Sequence, residues 1–282
     1  MNTDAAAGLK TGGDATPAVS VEHLSFAFDD NVVLRDVSFT VPTGSMTMLL
    51  GASGAGKSVL LKLILGLMRP DSGTIHVNGE RIDTMPEAQL LHLRSDVGMC
   101  FQENALFDSL TVGENVGFRL QDASHRVAPD VVDARVAEVL GFVGLAGYEE
   151  RMPSALSGGQ RRRVGIARAM ASKPSLLLFD DPTTGLDPVI ASNVDDEIVK
   201  LRDIQHVTSI FVTHQIRDAF YVARHEAVAT SGDIEIRETA TERARFLVLH
   251  EGRIFFEGTG AELLASHDAY LKEFLFMTLP PW

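Results

Sequence analysis

The sequence predicts an α/β fold: a P-loop core with an antiparallel β edge and an inserted α-helical subdomain. Three observations carry this. The apolar run Met46 to Leu50 passes into Gly51-Ala52-Ser53-Gly54-Ala55-Gly56-Lys57-Ser58 and then into the helix-like run Val59 to Met68, so strand, glycine-rich loop and helix follow in order. Leu176 to Phe179 is apolar throughout, as strands covered on both faces of a parallel sheet are. Between these two stretches, over roughly residues 104–172, the pattern turns helical.

Taken in order, Val19 to Phe28 and Val32 to Val41 read as β segments about the turn Asp29-Asp30-Asn31, and Pro42-Thr43-Gly44 is a second turn. The strand, glycine loop and helix follow, closed by Asp71-Ser72-Gly73. Thr74 to Val77 and Arg81-Ile82 flank Asn78-Gly79, a dipeptide suited to the two positive φ angles of a tight hairpin. Pro86 to Leu93 reads as a short helix and Val97 to Phe101 as a buried strand. In the helical part, Thr111-Val112-Gly113-Glu114 has capping-box spacing, Pro129-Asp130 opens a helix over Val131 to Val143, and Gly158 to Met170 is a third. The core resumes with Leu176 to Phe179, a helix over Pro188 to Arg202, a strand over Val207 to Val212 and a helix over Gln215 to Val222. Candidate strands lie at Ala227–Thr230, Phe246–Leu249 and Ile254–Phe256, and a last helix starts at Gly260–Ser266. The polar residues 231–245 read as an insert, an exposed hairpin or loop; the apolar tail Tyr270 to Trp282 packs on its own domain or reaches a neighbouring subunit. The frame is a disordered lead-in over 1–18, one domain over 19–260, and a C-terminal helix and tail over 261–282, with no internal repeat.

Hydrophobic content of 45% and charged content of 22% over 282 residues are those of a globular chain with a substantial core. The net charge of −13 argues against a broad nucleic-acid footprint, and no nucleic-acid partner is expected. Cys100 is the single cysteine, so an internal disulfide is excluded, a reducing compartment fits, and the thiol reads as a small buried hydrophobe. No run reaches the roughly 18 apolar residues of a membrane span. Residues 1–18 lack the apolar core of a signal peptide. The expectation is a cytoplasmic protein; if it serves a membrane, it does so through a partner.

The chemistry starts at Gly51 to Ser58. The glycines let backbone N–H groups turn inward around phosphate oxygens, and the helix N-terminus adds partial positive charge. Lys57 is placed to neutralise β- and γ-phosphates and Ser58 to offer its hydroxyl to Mg²⁺, which by itself specifies a nucleotide-binding fold. Leu156-Ser157-Gly158-Gly159-Gln160 opens a helix and forms a second anion site from a serine hydroxyl, glycine N–H groups and a helix start. One chain has one triphosphate to hold, so the second site suggests sharing between two copies. Leu176 to Phe179 runs into Asp180-Asp181: Asp180 is placed for the Mg²⁺ shell and Asp181 for the attacking water.

With these motifs in hand, residues 19–260 resemble the nucleotide-binding subunit of an ABC transporter, a P-loop NTPase. Gly51 to Ser58 matches the family's Walker A loop, Leu156 to Gln160 its signature motif, Leu176 to Asp180 its Walker B strand, and Gly185-Leu186-Asp187 its D-loop. The resemblance implies that His214 is the switch histidine, that Gln102 meets Mg²⁺ and the transmembrane partner, and that Phe28 stacks on adenine. It implies two copies closing head to tail on two ATP molecules to drive integral membrane permease subunits at the cytoplasmic face of the inner (plasma) membrane. One departure stands out: the family usually carries glutamate where this chain has Asp181, whose side chain is shorter by about 1.5 Å. A functional but sluggish ATPase is the expectation. Phe101 to Val116, with Ala105-Leu106-Phe107 within it, is similar to the matching segment of Mla/Mce-type ATPases, which implies phospholipid traffic and lipid-binding partner proteins. The alternatives are an importer or exporter ATPase for another solute, or a slow nucleotide-dependent switch.

Overall fold

The computed structural model describes residues 16–102, 105–121, 127–230 and 233–278, with side chains through Phe276. Residues 1–15 of the expected lead-in, Glu103 and Asn104 after Gln102, Ser231 and Gly232 of the insert, and tail residues 279–282 lie outside these.

In chain order the elements are β1 (Val19–Phe28), β2 (Asn31–Val41), β3 (Met46–Leu50), α1 (Lys57–Ile64), β4 (Ser72–Val77), β5 (Glu80–Arg81), α2 (Glu87–Ser95), β6 (Val97–Cys100), α3 (Val112–Gly117), α4 (Pro129–Phe142), α5 (Gly158–Ala171), β7 (Leu176–Asp180), α6 (Pro188–Gln205), β8 (Thr208–Thr213), α7 (Ile216–Arg224), β9 (His225–Ala229), β10 (Ile234–Glu238), β11 (Arg245–His250), β12 (Arg253–Gly258), α8 (Gly260–Leu264) and α9 (Ala269–Thr278). The fold is the expected α/β class. A six-stranded sheet runs β12-β11-β3-β8-β7-β6, and a four-stranded antiparallel sheet runs β2-β1-β4-β5. From β11 to β6 every neighbour in the large sheet is parallel.

That sheet separates two cores, and the period of two along each strand decides which side chain goes where. Leu177, Phe179, Phe211, Phe246 and Val248 join the core that includes α4 to α7. Their alternates Leu176, Leu178, Ile210, Val212, Leu247 and Leu249 join the core built with α1 and the antiparallel sheet. Burying both faces explains why these strands read as unbroken apolar runs rather than alternating ones.

Local signals set the element ends. Asn78 (φ 51°) and Gly79 (φ 82°) turn the β4–β5 hairpin as expected. The capping box at Thr111 is present: Glu114 N donates to Thr111 Oγ1 at 3.2 Å and Thr111 N to Glu114 Oε2 at 2.7 Å. The helix expected over Val59 to Met68 instead runs over Lys57–Ile64. Gly66, at φ 63°, stops it: Gly66 N donates to Leu63 O and Leu67 N to Lys62 O, both at 2.9 Å, the Schellman pattern. Within the insert, β10 pairs antiparallel with β9, and Glu226 takes both Arg237 at 2.8 Å and Arg243 at 3.0 Å. In the tail, Leu271, Phe274 and Leu275 of α9 are buried against the chain's own core, and the Tyr270 ring stacks on His250.

Candidate nucleotide site

Parallel strands end at a common edge, which gathers the loops that leave them. In register, Leu50 of β3 pairs with Thr213 of β8, Val212 with Asp180 of β7, and Phe179 with Cys100 of β6. Gly51 to Ser58, Gln102, Asp180, Asp181 and His214 therefore emerge on one side of the sheet from four separate parts of the chain.

The loop after β3 depends on two of its glycines. A Cβ on Gly51 would come within 2.5 Å of the Leu249 carbonyl oxygen. Gly56 holds φ 102° at the N-cap of α1, and no side chain caps that helix. The N–H groups of the first turn keep their unspent donors and partial positive charge for an anion. The Lys57 ammonium lies inside the loop, donating to Gly51 O at 2.7 Å and Ala52 O at 2.9 Å. Burial pulls its pKa down, and the nearby charges of Asp181 and Asp180 oppose that shift.

Ser58 Oγ donates to Asp180 Oδ1 at 2.9 Å, tying α1 to the end of β7. Burial raises the Asp180 pKa, the Ser58 hydrogen bond lowers it and the charge of Asp181 raises it again. A hydroxyl and a carboxylate within hydrogen-bond distance form a hard oxygen pair, the donor chemistry that Mg²⁺ takes alongside phosphate oxygens. The residues present fit the ion.

Asp181 follows at φ 45°, a left-handed conformation that Asp tolerates better than most residues, and its N–H donates to Val212 O at 2.9 Å. Its Oδ1 accepts the His214 backbone N–H at 3.1 Å and meets His214 Nδ1 at 2.9 Å, across 33 residues of sequence. A carboxylate only accepts, so this contact puts a proton on Nδ1 and leaves Nε2 to face a substrate. The short Asp181 side chain is thus already turned toward His214.

The segment Leu156 to Gln160 starts α5. Gln160 N donates to Ser157 Oγ at 3.2 Å and Ser157 N to Gln160 Oε1 at 2.9 Å, a second capping box. Ser157 is exposed and its hydroxyl proton is still available to donate. Among the described residues no hydrogen bond joins 156–160 to 51–58. Gln102 stands exposed in a turn after β6. Phe28 is 49% exposed and meets Phe26 edge-on at 4.9 Å, so it is a surface ring and not a core one. Cys100 is buried as expected, its thiol pKa pushed up to about 11 by burial.

Sequence reasoning missed the brace around Asp181. Thr183 Oγ1 donates to buried Asp218 at 2.6 Å, and Gln215 Nε2 reaches Thr183 Oγ1 at 3.4 Å. The available signal was nearness alone: Asp218 lies four residues after His214, in the first turn of α7. It also missed Tyr148, whose hydroxyl accepts from Gln160 Nε2 at 3.2 Å.

The chain is 42% identical over 220 residues to the sulfate/thiosulfate import ATP-binding protein CysA of Mycobacterium bovis, covering 78% of this chain and 61% of that protein. It is 38% identical over 216 residues to the Fe(3+) ions import ATP-binding protein FbpC of Escherichia coli O157:H7, covering 77% and 60%. It thus spans about three fifths of the length of these relatives. Among solved structures, the ATP-binding cassette MJ0796, in a dimeric post-hydrolysis state bound to ADP and Pi, superposes with a TM-score of 0.72 at 25% identity, over 86% of this chain and 98% of that one. CbiO1 of Clostridium perfringens, part of the ABC transporter complex cbiONQ, gives 0.75 at 26%, over 93% and 96%. The names of these relatives concern sulfate, thiosulfate and iron, and the phospholipid expectation drawn from Phe101 to Val116 gains no support from them. Residues 34–184, more than half of the chain, match the ABC transporter family, and with this fold and this site the chain belongs to that family as an ATP-binding cassette.

Proposed function

We propose that the chain is the ATP-hydrolysing subunit of a membrane importer and works as a pair of copies. The observation that carries this is the Asp181–His214 pair, with its 2.9 Å contact, at the strand edge where Lys57, Ser58 and Asp180 converge. Lys57 exchanges its loop carbonyls for β- and γ-phosphate oxygens. Ser58 and Asp180 hold Mg²⁺, which neutralises charge on the phosphates when bound. Asp181 orients the attacking water and takes its proton, while His214 steadies that carboxylate through Nδ1 and faces the γ-phosphate with Nε2. Phe28 offers an exposed face to adenine, and Gln102 lines the loop between site and permease. Ser157 to Gln160 of a second copy complete the phosphate cage, and closure on ATP provides the differential binding that moves the membrane subunits.

A groove of about 440 Å³ beside the Gln102 turn supports a permease partner. Leu67 (51%), Phe101 (36%), Phe107 (42%) and Phe118 (49%) expose apolar surface there, an arrangement suited to a partner helix. No helix of the described residues is long and apolar enough to cross a membrane, so attachment runs through that partner. The relatives' names favour an importer of inorganic ions. A second reading, phospholipid traffic with lipid-binding partners, rests on the Ala105-Leu106-Phe107 segment, of which Ala105 and Phe107 line the same groove.

The test is purification of the chain with its membrane partners, followed by turnover and cargo analysis. Asp181→Asn should abolish single-turnover hydrolysis while ATP still binds, and Asp181→Glu should retain or raise it. If both variants turn over like the parent, Asp181 is not the catalytic carboxylate. Bound lipid rather than transported anion or iron would select the second reading, and a complex without an integral membrane subunit would overturn both.

A further inference from the structure

We propose that Arg162 is a positioning residue that clamps the Gln102 turn and the loop after Asp181 to the start of α5, so that the three segments move as one. Arg161, Arg162 and Arg163 are consecutive on α5, so their side chains leave the helix about 100° apart. Arg161 Nη1 turns back to Leu156 O at 2.7 Å and Arg163 Nη1 goes to Val143 O at 2.9 Å, both within the helical layer. Of these three, only Arg162 reaches out of that layer. Its Nη1 donates to Phe101 O at 3.1 Å and also to Gln102 O, and its Nη2 donates to Thr184 O at 3.1 Å.

The chemistry is specific to a guanidinium. Arg162 is 4% exposed, and carbonyl dipoles rather than water meet its two terminal nitrogens, while its buried Nε has no hydrogen-bond partner among the described residues. The planar fork aims its two terminal nitrogens at two different loops, whereas a lysine ammonium is a single point. Both loops carry residues placed at the site above. Phe101 and Gln102 leave β6, and Thr184 lies three residues past Asp181, its N–H donating to Asp181 O at 3.3 Å. Farther along the first loop, Arg168 Nη1 donates to Ala105 O at 2.6 Å, so α5 grips that segment at two points. A displacement of the helix that starts at Ser157 to Gln160 is thereby passed to the Gln102 turn and to the loop after Asp181, and Arg162 is the side chain that joins both.

The kinetic half of this rests on the ATPase reading; the mechanical half does not. The experiment compares Arg162→Lys and Arg162→Gln with the parent chain in complex with its membrane partners. Amide hydrogen exchange over residues 99–102 and 182–187 should quicken about tenfold in both variants, with the β1–β4 sheet unchanged. At saturating ATP, kcat should fall about tenfold while KM changes less than about twofold, because Arg162 does not touch the phosphate loop. Lysine failing to rescue is the signature of the fork: a role in charge balance alone would be met by Arg162→Lys. Parent-like exchange in Arg162→Lys overturns the clamp, and so does faster exchange with undiminished kcat. A parent complex that does not hydrolyse ATP overturns the function proposed above, while the exchange data still judge the clamp.

Discussion

Gly159 sits where the start of α5 meets the start of α6, and a single methyl group there tests how tightly the two are set. A Cβ at Gly159 would lie 2.2 Å from Ile190 Cγ2. Carbon atoms rest about 3.5–4.0 Å apart, so Gly159→Ala forces a shift of more than about 1 Å on Ile190 or on the signature turn. Ile190 is half-buried, and its backbone is pinned: Asp187 Oδ1 accepts from Val189 N and Ile190 N at 3.1 Å each. Overpacking of this kind costs about 1–3 kcal/mol, which lowers Tm by roughly 2–10 °C in a chain of this size. Ser157 and Gln160 move with the turn, and a misplacement near 1 Å costs about a hundredfold in turnover. The assay is a double-mutant cycle of Gly159→Ala with Ile190→Ala, read by thermal melting and single-turnover hydrolysis. Trimming Ile190 should return most of the lost stability, with a coupling of at least about 1 kcal/mol. Simple additivity, or a Gly159→Ala chain as stable as its parent, refutes the reasoning.

Three further outcomes are expected. Burial, reinforced by the negative charges of Asp218 and Asp196 and opposed by Arg217, raises the pKa of Asp195 well above its ordinary value, and neither of its carboxylate oxygens has a hydrogen-bond partner among the described residues. The folded chain holds a proton that the unfolded chain releases, so this stability is full below about pH 4 and is lost as pH rises toward the raised pKa. Asp195→Asn should therefore raise Tm by a few degrees at pH 8 and by nothing near pH 4; a gain that does not vary with pH sinks the assignment. Ser58→Ala removes the donor to buried Asp180 and should cost about 1–3 kcal/mol in urea unfolding, and cut Mg²⁺-dependent hydrolysis about a hundredfold. Cys100, buried and with its thiol pushed up to about 11, should resist iodoacetamide at pH 8 until the chain is unfolded, and rapid labelling of the folded chain contradicts that.

Legibility in the sequence followed the range of the interaction. Elements set by neighbours within a few residues were readable: the buried runs of β3 and β7, the Asn78-Gly79 turn, the capping box at Thr111. Where a local rule competed with another, one misled. The apolar run through Met68 outweighed Gly66, although a left-handed residue with two backbone bonds ends the helix four residues earlier. In the site, residue types with a fixed spacing, such as Gly51 to Ser58, declared themselves. The contacts that turn them into a device did not, because they join distant parts of the chain. Asp181 to His214 spans 33 residues, Ser58 to Asp180 spans 122, and Arg162 to Gln102 spans 60. Arg161, Arg162 and Arg163 are one residue type at consecutive positions, and the direction in which each leaves the helix separates their partners.

Lys57 closes its own loop. By bridging the Gly51 and Ala52 carbonyls, it acts as an internal crosslink that holds a glycine-rich segment in shape. The conformational freedom that so many glycines would otherwise surrender to a ligand has been given up at folding instead. An incoming triphosphate meets a rigid template and exchanges one set of acceptors for another. Calorimetry on the chain should therefore register the swap of ionic partners, without the large negative heat-capacity change of a segment that folds as it binds.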